Sequence, residues 1–235
     1  MRNCQSIIIL HGWGSSKEKW KKVKENLERE GIEVIIPDIP GFLKETELQK
    51  PWALQDYLKW FCEFSKDKEK FFLLGHSFGG RISIKFAQKF PEKLQGLILV
   101  SAAGIKKKKR IISYFTPFLK KFSFLPGYNL LRKLFYKFII RRSDYFQASN
   151  VMKETLKQVI QEDLTADLSQ IKTKTLIIWG EKDKITPIKD AFLMKEKIQG
   201  SKLEILKKTT HTPYLECPDV LSQKIVNFIK EICES

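Results

Sequence analysis

The six residues Gly75-His76-Ser77-Phe78-Gly79-Gly80 restrict the architecture of this chain more than any other stretch. They follow an apolar run at 71–74 and precede an amphipathic pattern at 81–90. A β-type run that passes into a helix across G-x-S-x-G has room only for a sharp turn. Small residues relieve the backbone crowding there, and the serine hydroxyl is lifted above the sheet. The helix that follows turns its N-terminus towards that hydroxyl, where its dipole favours developing negative charge. A Gly-rich loop with an incidental serine is the bland alternative. The strand before, the helix after and the additional Gly80 all count against it.

The rest of the chain repeats the strand-then-helix rhythm. Apolar, β-branched runs stand at 6–10, 33–36, 71–74, 97–100, 175–179 and 202–206, and helical spacing recurs at 15–30, 54–64, 81–90, 188–198 and 220–232. Such runs separated by amphipathic stretches predict an α/β fold, a mostly parallel central sheet of about six strands with helices on both faces. Ser15 and Glu18 have the spacing of a capping box for the first helix. With 235 residues, 43% of them hydrophobic, the chain has the material for one large core. No apolar run approaches the roughly 18 residues of a membrane span. The first ten residues also lack the apolar stretch and cleavage site of a secretory signal, so a cytoplasmic location is expected. Cys4, Cys62, Cys217 and Cys233 show no C-x-x-C spacing. Neither disulfides nor a metal site is expected from them, and no cofactor is implied.

Between the fourth and fifth apolar runs lie roughly 70 residues, far more than an ordinary connection. The reading is therefore a core formed by residues 1–104 and 171–235, with a mostly helical cap inserted at 105–170. Charge is concentrated in the first part of the insertion. Residues 105–142 hold twelve Lys and Arg and no Asp or Glu, so this window carries +12 of the net +16. Nine aromatic residues are interleaved with these cations. That combination suits an acyl chain on an anionic carrier protein, or an anionic membrane surface. A lysine-rich solvated surface over an aromatic cap core explains it equally well. No nucleic-acid motif accompanies the charge, and no nucleic-acid partner is expected.

A serine nucleophile needs a base. Of the three histidines, His76 sits within the turn and points away from Ser77, and His11 follows the first strand. His211 follows the last strand, on the sheet edge where sites of parallel sheets collect, and is the expected base. The orienting acid should come from another strand end. Glu181 and Asp183 both follow the fifth strand, with Glu181 in the immediate turn, while Ser101-Ala102-Ala103-Gly104 after the fourth offers no carboxylate. Asp183 is the expected acid. His11-Gly12-Trp13-Gly14 supplies a loop that can approach closely, so the N–H groups of Trp13 and Phe78 are the expected oxyanion donors. His11, Gly12 and His76 near the turn, with Phe115, Phe118 and Tyr145 in the insertion, are the expected substrate contacts.

These motifs, together with Pro37-Asp38-Ile39-Pro40-Gly41-Phe42, the stretch 179–187 and His211-Thr212-Pro213-Tyr214-Leu215-Glu216-Cys217-Pro218, resemble those of the α/β-hydrolase superfamily across nearly the whole chain. The resemblance implies the sheet, a Ser-Asp-His triad in that chain order, and a cap after the fourth strand. Two departures stand out. Only five residues precede the first strand, so the superfamily's two leading strands are expected to be absent. Thr210 stands where a glycine often precedes the catalytic histidine. Serine at the turn argues against relatives that use aspartate there, the haloalkane dehalogenases and epoxide hydrolases. The absence of H-G-G-P-G argues against a prolyl aminopeptidase. Thr212 stands where carbon–carbon bond hydrolases of aromatic degradation tend to carry tryptophan, which lowers that alternative without removing it. The expected reaction is hydrolysis of a small or medium carboxylic ester through an acyl-enzyme. The His-Gly-Trp-Gly loop also resembles that of esterases acting on pimeloyl esters held on acyl-carrier protein. A receptor that uses the hydrolase pocket without catalysis is the alternative from a different class.

Overall fold

The computed structural model describes residues 6–106 and 149–234. Phe115, Phe118, Tyr145, Cys4 and the basic residues of the 105–142 window other than Lys106 lie outside the described residues. The strands are β1 (Ser6–Leu10), β2 (Glu33–Ile35), β3 (Phe71–His76), β4 (Leu94–Val100), β5 (Thr175–Gly180) and β6 (Lys202–Leu206). The helices are α1 (Lys21–Arg29), α2 (Leu54–Phe64), α3 (Phe78–Lys89), α4 (Asn150–Gln161), α5 (Thr165–Leu168), α6 (Ile188–Lys197), α7 (Pro213–Glu216) and α8 (Pro218–Cys233). Short 3-10 turns stand at Lys17–Trp20, Lys44–Thr46 and Pro91–Lys93.

All six strands pair in parallel, in the order β2-β1-β3-β4-β5-β6. Successive side chains of a strand point to opposite faces, and the apolar runs fill both. Ile8 and Leu10 of β1, Leu73 of β3, Leu99 of β4 and Trp179 of β5 join a cluster with Tyr57 and Phe61 of α2, Ile82 and Phe86 of α3 and Met194 of α6. Ile7, Ile9, Leu74, Val100 and Ile178 join the opposite cluster with Val23 and Leu27 of α1 and Leu221 and Ile225 of α8. Strands buried on both faces have no polar side to show, which is why they read as continuous apolar runs. The chain leaves β1 towards β2 on one side and returns to β3 on the other, so the strand order reverses between β1 and β3. In open parallel sheets that is where a crevice forms.

Three local expectations change. The first helix does not open on a Ser15/Glu18 capping box. Ser15 belongs to the loop after β1, where its N–H donates to the Gly12 carbonyl at 3.1 Å, and the chain enters a 3-10 turn whose N-cap, Ser16, makes no side-chain cap bond. α3 begins at Phe78, three residues before the apolar periodicity, because the low helix propensity of Gly79-Gly80 is overridden by contacts with β1. α8 begins at Pro218 itself, whose ring suits the first helical position.

α4 is capped by Ser149, whose Oγ accepts from the Met152 N–H at 3.2 Å. Met152 and Val159 of α4, Leu164 and Leu168 all join the cluster that holds α2 and α3. The Trp52 N–H donates to Thr155 Oγ1 at 3.0 Å, and the Leu164 N–H to the Gly104 carbonyl at 2.9 Å. These contacts bring α4 over the carboxyl ends of the strands.

Candidate active site

The turn after β3 is as tight as the sequence requires. Ser77 has φ 49° and ψ −111°, a left-handed backbone that costs a non-glycine residue of order 1–3 kcal/mol. The Gly79 N–H donates to the His11 carbonyl at 3.1 Å, and the Ala103 N–H to the Ser77 carbonyl at 2.9 Å, which ties the strained residue to the ends of β1 and β4. A Cβ on Gly79 would meet the carbonyl of Leu10, and one on Gly75 would meet Ser83 Oγ and the backbone of Gly79 and Gly80. Glycine at these two positions is what lets α3 start directly against β1.

Two later strand ends complete the arrangement. His211, after β6, has Nε2 3.0 Å from Ser77 Oγ and Nδ1 2.7 Å from Asp183 Oδ2. A carboxylate cannot donate, so the imidazole carries its hydrogen on Nδ1 and presents the Nε2 lone pair to the serine hydroxyl. Asp183, after β5, is further held through Oδ1 by the N–H groups of Ile185 at 2.8 Å and Thr186 at 3.0 Å. Burial pushes its carboxyl up, but the hydrogen bond and charge of His211 and the bonds from Thr186 and Ile185 outweigh this and hold it below the ordinary carboxylate value. Glu181 lies apart from the histidine, its Oε2 accepting from the Lys208 N–H at 2.9 Å. Of the two carboxylates after β5, Asp183 is the one at His211.

Trp13 and Phe78 come together as expected of neighbouring loops. Their rings pack edge to face at 5.3 Å, with Phe42 against both. The Phe78 N–H lies in the first turn of α3, where no intrahelical acceptor exists. A Cβ on Gly12 would stand 2.8 Å from His76 Nδ1 and 3.3 Å from Ser77 Cβ, so the loop after β1 lies directly against the serine.

A cavity of about 410 Å³ opens on Ser77, and the described residues lining it include Trp13, Phe78, Arg81, Ile105, Leu156 and Ile185. His11, Gly12 and His76, expected to contact substrate, are not among them. His76 lies behind the site instead. Its Nε2 donates to the His211 carbonyl at 2.9 Å, and Nδ1 has no partner among the described residues. Burial, followed by the neighbouring His211, brings its pKa down to about 3, so the ring is neutral and serves as a strut for the histidine loop. His11 is also buried, with Nδ1 2.9 Å from the Gly12 carbonyl, and burial lowers its pKa too.

Three residues at the site carry no role in the sequence reading. Thr186 Oγ1 lies 2.8 Å from Asp183 Oδ2, 3.1 Å from the Ser101 carbonyl and 3.2 Å from His211 Nδ1. Glu216 brackets the histidine loop, accepting from the Thr210 N–H at 2.9 Å and from the Thr212 hydroxyl at 2.9 Å. Thr210, which departs from the superfamily pattern, and Thr212, which stands where the carbon–carbon bond hydrolases tend to carry tryptophan, are thus donors that flank His211. Arg81 reaches the cavity wall from α3. The motif stretches 179–187 and 211–218 contain Thr186 and Glu216, but the folding of each loop and the placing of Ser101 beside Thr186 by the pairing of β4 with β5 are what show their partners.

An all-parallel sheet with a strained serine at the strand-order reversal, and a histidine and carboxylate delivered from later strand ends, is the scaffold of a hydrolase. The chain belongs to the alpha/beta hydrolase fold family, whose match covers residues 5–149. It is 26% identical to 2-hydroxy-6-oxononadienedioate/2-hydroxy-6-oxononatrienedioate hydrolase of Escherichia coli K12, across 96% of this chain and 87% of that protein. Among solved structures it is similar to an alpha/beta hydrolase from the metagenome of Mar Chica lagoon sediments in Morocco, with TM-score 0.70 and 26% identity over 97% of this chain and 91% of that one. It shares its fold with a thermophilic esterase of Thermogutta terrifontis, with TM-score 0.71 and 20% identity over 97% and 90% of the two chains.

Proposed function

We propose that this hydrolase cleaves a small or medium carboxylic ester through an acyl-enzyme on Ser77. The supporting observation is the continuous chain Ser77 Oγ, His211 Nε2, His211 Nδ1, Asp183 Oδ2, with links of 3.0 and 2.7 Å, at the floor of a largely apolar cavity. His211 Nε2 takes the hydroxyl proton as Ser77 Oγ bonds to the acyl carbon, and the Asp183 carboxylate stabilises the imidazolium. The N–H groups of Trp13 and Phe78 hold the oxyanion. The intermediate collapses, the carbon–oxygen bond to the alcohol breaks, and the alcohol leaves with the proton from His211. Water then gives a proton to His211 and its oxygen to the acyl carbon, and Ser77 recovers its hydrogen as the acid departs. Ester and water become acid and alcohol.

A series of p-nitrophenyl esters of increasing acyl length tests this reading. The expected result is a burst of nitrophenol stoichiometric with protein, labelling of Ser77 by a fluorophosphonate, and a loss of about 10⁴-fold or more in Ser77→Ala. Turnover that survives that substitution overturns it, and slow labelling without turnover favours a non-catalytic receptor.

A second reading, carbon–carbon bond hydrolysis, is favoured by the relative that acts on an oxononadienedioate. The same serine and histidine would serve, but Thr212 follows His211 in place of the tryptophan of that group. A 2-hydroxy-6-oxodienedioate turned over with a higher kcat/KM than every ester decides for it.

A further inference from the structure

One buried cation at the site takes no part in the reaction proposed above. Arg81 stands one helical turn after Ser77 on α3, so the two side chains leave the same face of the helix. Both line the cavity. Arg81 is only 5% exposed, and its one hydrogen bond among the described residues is from Nη1 to the Glu162 backbone carbonyl at 2.8 Å. No ion pair reaches it among the described residues. The carboxylates nearest to it are engaged elsewhere, Glu162 with Lys85 at 2.9 Å, and Asp163 with the N–H and hydroxyl of Thr165 at 3.1 and 2.6 Å.

A guanidinium has five N–H donors in a planar fork and stays protonated. Removing such a cation from water costs several kcal/mol unless an anion meets it, and one neutral carbonyl is a small return. Beside the polar Gln161, Thr186 and Asp190, the described lining is mainly apolar, with Ile105, Leu156, Val159 and Ile160. Lys106 adds a second positive charge at the exposed rim. A ligand that complements this wall has a short hydrocarbon spacer and a carboxylate, whose two oxygens match the fork.

We propose that Arg81 is the specificity-determining residue of this site and binds a carboxylate of the substrate, separated from the scissile carbonyl by a few methylenes. The substrate class is then a hemiester of a dicarboxylic acid. The identity of the reacting group rests on the ester reading above, whereas the anion subsite rests on Arg81 alone.

The test is the ratio of kcat/KM for monomethyl adipate over methyl heptanoate, a neutral ester of similar length. In the wild type the ratio exceeds about ten, and in Arg81→Gln it falls by about 10- to 100-fold, as expected for losing hydrogen bonds to a charged group. Arg81→Lys, which keeps the charge but not the fork, recovers part of the preference. A wild-type ratio near one, or a ratio unchanged by Arg81→Gln, overturns the proposal while leaving ester hydrolysis intact. If the Gln variant fails to fold, the wild-type ratio and the Lys variant decide. If neither ester is cleaved, the ester reading fails, and calorimetric binding of monomethyl adipate decides the subsite. Binding at least tenfold weaker in the Lys or Gln variant sustains it, and equal binding overturns it.

Discussion

At the scale of single residues, the serine and histidine are held by hydrogen bonds that reach beyond the three reacting side chains. Thr186 is the clearest case. Its hydroxyl has one hydrogen and two acceptors within reach, Asp183 Oδ2 and the Ser101 carbonyl, and its own N–H fixes the other carboxylate oxygen. Thr186→Val keeps the shape and removes the donor, so one hydrogen bond to a buried acceptor is lost at a cost of about 1–3 kcal/mol. The expectation is a kcat about tenfold lower with KM nearly unchanged, and recovery in Thr186→Ser. A kcat equal to wild type in Thr186→Val shows that the backbone N–H groups alone orient Asp183. Nothing in the spacing of Thr186-Pro187 separates this role from an ordinary turn. The hydroxyl gains the Ser101 carbonyl as an acceptor only because β4 and β5 are neighbours.

At the scale of elements, the decisive join is between β3 and α3. The helix must start against the end of β1, and its second residue is where the two backbones are closest. Gly79→Ala puts a methyl group into the Leu10 carbonyl, with backbone rather than a flexible side chain as the obstacle. A loss of more than about 3 kcal/mol is expected, read as a fall in urea midpoint or as insoluble protein, because a packed core relaxes only partially around an inserted group. Unchanged stability shows that α3 can slide away from β1. The strand and helix on either side of this turn were legible from their periodicities. The helix start was not, since Gly79-Gly80 has poor propensity and only the tertiary contact makes it helical. The same holds for the first helix, where Ser15 and Glu18 have the right spacing for a cap but the loop after β1 claims Ser15 first.

At the scale of the whole molecule, the site sits on buried histidines that make the fold sensitive to acid. His76 is 2% exposed, with a folded pKa of about 3 against 6.5 for the free side chain. A folded pKa below the unfolded one means that its contribution is fully present above pH 6.5 and is lost as pH falls towards 3, because the unfolded chain takes up the proton first. The slope is up to about 1.4 kcal/mol per pH unit from this residue, and the lowered His11 adds in the same direction. The Asp183 contribution has the opposite origin, a carboxyl held below its ordinary value, and it disappears only at lower pH as that group protonates. Denaturant unfolding between pH 6.5 and about 5.5, above the range where the carboxyls held low in the fold (Asp183, Glu18 and Glu216) take up protons, therefore isolates the histidines, and His76→Gln should flatten the dependence; an unaltered slope means His76 is not the group that titrates. By itself the sequence determined the six strands, the burial of β1, β3, β4 and β5 on both faces and the chemical identities at the turn, because periodicity and glycine placement are local properties of the chain. It also singled out Ser77, Asp183 and His211, since strand ends of a parallel sheet share one edge. Only the tertiary structure decided that His11 and His76 lie behind the pocket, that Thr186 and Glu216 lock the loops, and that Arg81 is a buried cation on the cavity wall, because each depends on which strand pairs with which and on what a side chain finds across the gap.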